Sequence, residues 1–295
     1  MYNNNYVEFK KERDLGAIIS DTFKFLRLQW KPFFGVIIKN ALLPLLVTIG
    51  ASIFFMYKMF GLFDALDPYS STYQENEFSS GFFFTMMLFM ALFSIITYVI
   101  MNITALYYIK SYIDNKGVID YEMIKERVKD KFWSFTGLGI LTILIVLASA
   151  MLCFFPAIYT GVVLTLAAPI LVFENRDVTD TISYSFSFFK GGHWWPTFGV
   201  MIVVGIIVNV ISYVFSMPAI IYYFIKMGTV LTNDDPSMML ESFQDPIYIT
   251  LNVVSYIGQF ALYSVTFITN VFLYFDIDEQ KNASGALDKI DSLGV

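Results

Sequence analysis

The chain has 295 residues, of which 57% are hydrophobic, 18% aromatic and only 15% charged, with a formal net charge of −6. A water-soluble domain carries about 25% charged residues, so water is not the solvent for most of this surface. One cysteine and one histidine exclude an intramolecular disulfide and the paired-histidine zinc site of a metalloprotease.

A helix needs roughly 20 apolar residues to cross a hydrocarbon core of about 30 Å, and the chain offers several uncharged runs of that length or more. The first thirty residues are polar and basic, with no short apolar core and cleavage site, so no secretory signal is expected. Within them Leu15, Ile18, Ile19, Thr22 and Leu26 form one apolar face. A first span is expected over 33–57, interrupted only by Lys39, and a second over 81–109. The run from Phe132 to Phe173 is too long for one span and contains Pro156. Proline removes a backbone donor and crowds the preceding turn, so the run reads as a hairpin of spans 133–154 and 157–173 that ends the third helix near Phe154 and Phe155. The alternative is a re-entrant pair. Spans five and six are expected over 195–225 and 246–275, followed by a short tail, 276–295, in which Leu287, Ile290 and Leu293 form an apolar stripe.

Three times an amphipathic segment leads into tryptophan and then phenylalanine and glycine. The copies run to Trp30, Phe34 and Gly35, to Trp133, Phe135 and Gly137, and to Trp194, Phe198 and Gly199. The repeat predicts one all-α membrane domain over 1–275, built as three hairpins, each preceded by a cytoplasmic interfacial amphipathic helix. Trp30, Trp133, Trp194 and Trp195 are the expected interfacial anchors.

Sixteen of the nineteen Lys and Arg fall in the amino-terminal segment, the loop after span two, the loop after span four and the tail. Positive loops stay inside, so both termini are expected in the cytoplasm, against the anionic lipid leaflet. Lys58 and Lys226 fall on the far side, whose loops carry Asp64, Asp67, Glu75, Glu77, Asp234, Asp235, Glu241 and Asp245. Those loops lack calcium-ligand spacing and read as solvated. The charge pattern points to a membrane surface and to no nucleic acid.

Chemistry is sparse. Any triad would have to use His193, which sits beside Trp194 and Trp195 and reads as part of an anchor. No phosphate loop is present, and no catalytic residue, metal or cofactor is expected. Cys153, inside span three, reads as a small buried hydrophobe. Polar groups within spans are costly and often mark pathways. The candidates are Lys39, Asn102, Asn209, Asn252 and Gln259, with Glu174 closing span four, and Asn40 and Asn270 as further amides. Lys39 is expected to snorkel to the headgroups, and the amides to hydrogen-bond between helices.

The stretches Ala168-Pro-Ile-Leu-Val-Phe-Glu-Asn-Arg, Thr181-Ile-Ser-Tyr-Ser-Phe, Lys190-Gly-Gly-His-Trp-Trp and Tyr274-Phe-Asp-Ile-Asp-Glu resemble the six-helix membrane domain attached to some bacterial glycerophosphoryl diester phosphodiesterases and also found standing alone. In the fused proteins hydrolysis belongs to a separate soluble barrel, which these residues do not contain. The resemblance therefore implies a bacterial inner-membrane location and a supporting role, and it assigns no site residues and no phosphodiesterase activity.

The expected function is a non-enzymatic scaffold or accessory subunit, with membrane lipids and a protein partner or second copy as its contacts. The alternative is a permease or transporter subunit for a small solute or lipid. A permeation path would leave Asn102, Asn209 and Gln259 open to water, whereas packing would leave them closed to it.

Overall fold

A computed structural model describes residues 6–65, 80–233 and 245–293, and its regular structure there is entirely helical. In chain order the helices are α1 (Leu15–Ala65), α2 (Ser80–Asp114), α3 (Tyr121–Leu152), α4 (Phe154–Leu164), α5 (Ala167–Phe173), α6 (Val178–Phe188), α7 (Trp194–Asn233), α8 (Pro246–Asn282) and α9 (Ser284–Leu293). Among the described residues six stretches are long and apolar enough to cross a membrane: Leu15–Phe55, Phe84–Asp114, Tyr121–Leu152, Phe154–Phe173, Trp194–Gly228 and Pro246–Asn282. The all-α class and the six apolar helices therefore agree with the sequence. The acidic stretches around Asp67, Glu75, Glu77, Asp234, Asp235 and Glu241 lie outside the described residues, as do the side chains of Asp64, Lys58 and Leu293.

The amphipathic segments differ from one another. Those of the first two copies are the opening turns of α1 and α3, running without a break into the apolar stretch. With 51 residues, α1 is about 75 Å long at 1.5 Å per residue, so it reaches well beyond a core of about 30 Å. Only the third copy has a separate helix, α6. Its cause is local: Gly191 and Gly192 have φ of 108° and 95°, a conformation that a side chain would strain.

The third and fourth spans also depart from expectation. The break falls at Cys153, whose extended backbone (φ −172°, ψ 156°) ends α3 at Leu152. Pro156 instead occupies the first turn of α4, where its missing donor costs nothing. Cys153 is exposed, contrary to the buried role read from the sequence, because it forms the break itself. Its neighbours Met151, Leu152, Phe154 and Phe155 are 74–89% exposed. The fourth span is two helices, parted at Thr165 and Leu166. Pro169 explains the interruption, since its ring crowds the carbonyl four residues earlier and offers it no donor. That carbonyl belongs to Thr165 and accepts instead from Asn270 Nδ2 at 3.4 Å.

The chain divides into two compact units. The first comprises 1–40, 99–208 and 263–295, and the second 41–98 and 209–262. In the first unit an aromatic core forms where the segment before α1 meets α1, α2 and α8. Phe9 stacks on Phe272 at 4.3 Å and meets Phe25 edge-on at 5.2 Å, while Phe25 meets Tyr112 at 5.2 Å and Phe33 meets Tyr108 at 5.1 Å. All six are essentially buried, and aromatic pairs of this geometry add about 0.5–1.5 kcal/mol each beyond area burial. Asp120 caps α3 by accepting from Met123 N at 3.0 Å. In the second unit α1 and α2 are joined by the hydroxyls of Thr48 and Thr97 at 3.2 Å.

Cys153 is the chain's one thiol and reports directly on the apolar break. In native membranes it is expected to react with a lipid-soluble maleimide and to resist a membrane-impermeant one. Rapid labelling by the impermeant reagent would place the break in water.

Candidate functional site

Within the second unit, one face of α8 is polar where the helix is otherwise apolar. Tyr248, Asn252, Ser255 and Gln259 recur at intervals of four, three and four residues, which places them on a single stripe. Ser255 is nine residues into α8, about 14 Å along the axis, within the stretch Pro246–Asn282 that is apolar enough to cross a membrane. Across from the stripe, α7 presents Ser216, Ala219, Ile220 and Tyr223. Together with Tyr256, these residues enclose a pocket of about 230 Å3.

Local chemistry shapes this pocket. Pro218 lies inside α7, and proline disturbs the hydrogen bonding of the turn before it. On that turn the Phe215 carbonyl accepts from Ser255 Oγ at 2.8 Å, a proton that Ser255 shares with Leu251 O at 2.9 Å. Neighbouring hydroxyls serve such carbonyls where no water reaches. Gly258 lets the helices close: a Cβ there would sit 2.5 Å from the Phe215 ring. Gln259 Nε2 donates to Ser216 Oγ at 3.4 Å, and Asn252 Nδ2 donates to Tyr248 O at 2.9 Å. The lining polar groups are hydroxyls and amides, all uncharged, which both donate and accept hydrogen bonds. At the end of the unit, Asp245 accepts from the Tyr222 hydroxyl at 2.6 Å and pairs with Lys226 at 2.9 Å. Those hydrogen bonds, the tyrosine's first, hold the Asp245 carboxyl at about 2.

The first unit holds a second constellation, which sequence reasoning missed. The side chain of Arg13 is fully buried. Its Nε meets Asp21 Oδ2 at 2.9 Å, Nη1 donates to Phe9 O at 2.6 Å and Lys11 O at 3.0 Å, and Nη2 donates to Glu8 O. The guanidinium lies 4.6 Å over the Phe272 ring, and Arg13 N donates to Asp276 Oδ1 at 2.7 Å. This knot fastens the segment before α1 to α1 and to the end of α8. The adjoining tail is fastened as well: Glu279 accepts from Gly285 N and Ala286 N at 2.6 and 3.0 Å, meeting the first turn of α9.

The sequence candidates divide among these places. Asn252 and Gln259 come together in the pocket, with Ser216, Ser255, Tyr223 and Tyr248 as partners that the sequence reading left unmarked. The four-three-four spacing on α8 was the available signal. Asn209 is exposed and apart from the pocket lining. Lys39 is exposed and places Nζ 5.8 Å over the Tyr121 ring. Asn102 has a buried Oδ1 without a hydrogen-bond partner. Asn40 donates to Thr104 Oγ1 at 3.4 Å. Glu174 accepts from the Tyr274 hydroxyl at 2.9 Å and lies 3.7 Å from Arg176. Trp30, Trp133 and Trp195 are 54%, 77% and 72% exposed, whereas Trp194 stacks on Phe198 at 4.9 Å and donates to Tyr159 O at 3.4 Å. His193 is held below its ordinary value, first by desolvation and then by Lys281.

Two predictions follow from these environments. Arg13→Ala strands three carbonyls and leaves Asp21 with Lys11 at 3.9 Å, and is expected to cost about 3 kcal/mol, measured by denaturant unfolding in detergent. A loss below about 1 kcal/mol, the value of a surface pair, would contradict the buried knot. His193 binds its proton less readily folded than unfolded, so its contribution to stability is present above 6.5 and lost as pH falls through the lower, folded-state value. Because it is the single histidine, a proton NMR titration reads it alone, with a midpoint below 6.5 expected and a midpoint above that value contradicting the assignment.

Compared with family models, curated proteins and solved structures, the chain matches none.

Proposed function

We propose that this chain is a non-catalytic multi-pass protein of the bacterial inner membrane that serves as a scaffold or accessory subunit, with both termini cytoplasmic. The observation that carries the reading is the Arg13 knot. It spends a buried guanidinium on fastening the segment before α1 to Asp21, Phe272 and Asp276, and a buried ion pair contributes more to a defined arrangement than to net stability. The product is a preordered platform at the lysine- and arginine-rich end of the first unit. A partner that binds a preordered surface loses less conformational freedom in docking. Around the platform Val118 and Tyr121 are exposed, together with Leu287 and Ile290 of the stripe expected in the tail, and these supply apolar contact area at a charged end. The family resemblance seen in the sequence agrees with a supporting role.

A permease subunit is the second reading, and the polar pocket along Asn252, Ser255 and Gln259 favours it. Transporters place such groups near the middle of the bilayer beside interrupted helices.

The two separate in one experiment. The tagged chain is purified from native membranes in mild detergent, and the co-purifying proteins and lipids are identified by mass spectrometry. The scaffold reading expects a stoichiometric protein partner, lost when Arg13→Ala disorders the platform while Asn252→Leu leaves it in place. A chain that purifies alone with one enriched solute or lipid would overturn that reading in favour of a carrier.

A further inference from the structure

The pocket between α7 and α8 has a chemistry of its own, independent of whether the chain supports a partner or moves a solute. Its polar lining is made of the hydroxyls and amides of Ser216, Tyr223, Tyr248, Asn252, Ser255 and Gln259. A charged ligand at this depth would be costly without a countercharge, and the lining provides none. Groups that both donate and accept match a ligand that does the same, as hydroxyls do.

Size narrows the choice further. The pocket measures about 230 Å3. That lies below the range of about 300–1,000 Å3 typical of sites for whole ligands, so it suits one ring or polyol group rather than a complete larger molecule. Position supplies the rest. Ala219 and Ser255 are buried, whereas Ile220 and Tyr256 on the rim are 41% and 43% exposed. The polar floor is therefore reached from the flank of the two apolar helices, past an aliphatic and an aromatic side chain. A group with a lipid tail fits that approach, because its tail stays in hydrocarbon while its hydroxyls leave it. Gly258 against Phe215 closes the helices beside the pocket, so the site is formed before a ligand arrives.

We propose that this pocket binds an uncharged, hydroxyl-rich group of about the size of one sugar ring, either as the head of a neutral glycolipid or as a free polyol. Asn252 and Gln259 would supply amide donors and acceptors, Ser216 and Ser255, whose protons go to the Ser212 and Phe215 carbonyls, would supply acceptor oxygens, and Tyr223, Tyr248 and Tyr256 would supply ring faces for the edge of the ring.

The test uses the full chain in phosphatidylcholine nanodiscs doped with equal amounts of monoglucosyl diacylglycerol and phosphatidylglycerol, with retained lipids counted by native mass spectrometry. Preferential retention of the glucolipid is expected, and Asn252→Leu with Gln259→Leu is expected to lower it about tenfold, as loss of two hydrogen bonds requires. Displacement by millimolar methyl glucoside would assign the site to a free polyol as well, whereas resistance to it would assign the site to the lipid. A wild-type chain that retains phosphatidylglycerol equally well and binds no methyl glucoside would overturn the proposal. So would a double variant of unchanged helical circular dichroism that keeps its preference. Should the double variant fail to fold, a photoreactive glucolipid on the wild-type chain decides: attachment within Tyr248–Gln259 supports the site, and attachment elsewhere refutes it.

Discussion

A backbone carbonyl that loses its helical partner inside a bilayer has no water to turn to, and the cost is several kcal/mol. Long uninterrupted helices are the cheapest answer, and α1, α3, α7 and α8 each exceed thirty residues. Near two of the prolines, Pro169 and Pro218, a side chain of α8 donates to a backbone carbonyl. Asn270 serves the Thr165 carbonyl, four residues before Pro169, whereas Ser255 donates to the Phe215 carbonyl, three residues before Pro218. Asn270 is thus placed by a backbone requirement, while Ser255 joins α8 to α7 at the pocket.

Charge obeys a parallel economy. The first unit buries Arg13 only where Asp21, three carbonyls and the Phe272 face are arranged around it. Lys39, the one charge within the expected first span, keeps its ammonium exposed over Tyr121. The second unit keeps Asp245 beside Lys226 and Tyr222, at the start of α8 and outside the pocket lining. In the second unit the pocket lining is left to hydroxyls, amides and apolar groups, with the ion pair at the start of α8.

Much of this was legible beforehand, for reasons of scale. Six apolar stretches were visible because crossing hydrocarbon imposes a length that few other structures demand. Boundaries depend on finer balances and were misplaced. Pro156 draws the eye as a breaker, but a helix start tolerates it, and the chain turns at Cys153 instead. The amphipathic segments before Trp30 and Trp133 look like separate units by composition, yet only the third copy has the paired left-handed glycines that end a helix. Arg13 was one basic residue among six in its segment. Its burial depends on Phe272 and Asp276, more than 250 positions away, which no local pattern encodes. Asn252 and Gln259 stood out individually, whereas Ser216 and Ser255 became visible only once α7 and α8 were paired.

The pairing of Pro169 with Asn270 also bears on how such a chain varies by descent. If proline is replaced by a residue with an amide hydrogen, the Thr165 carbonyl regains a helical donor and the asparagine becomes an unneeded polar group in hydrocarbon. If the asparagine changes first, the carbonyl is stranded. The order of events is therefore constrained, since removal of the proline opens a route to losing the amide, while the reverse order passes through a destabilised intermediate. Among related sequences the two positions are expected to be kept or relinquished together, although they stand about a hundred residues apart and neither lines the pocket between α7 and α8.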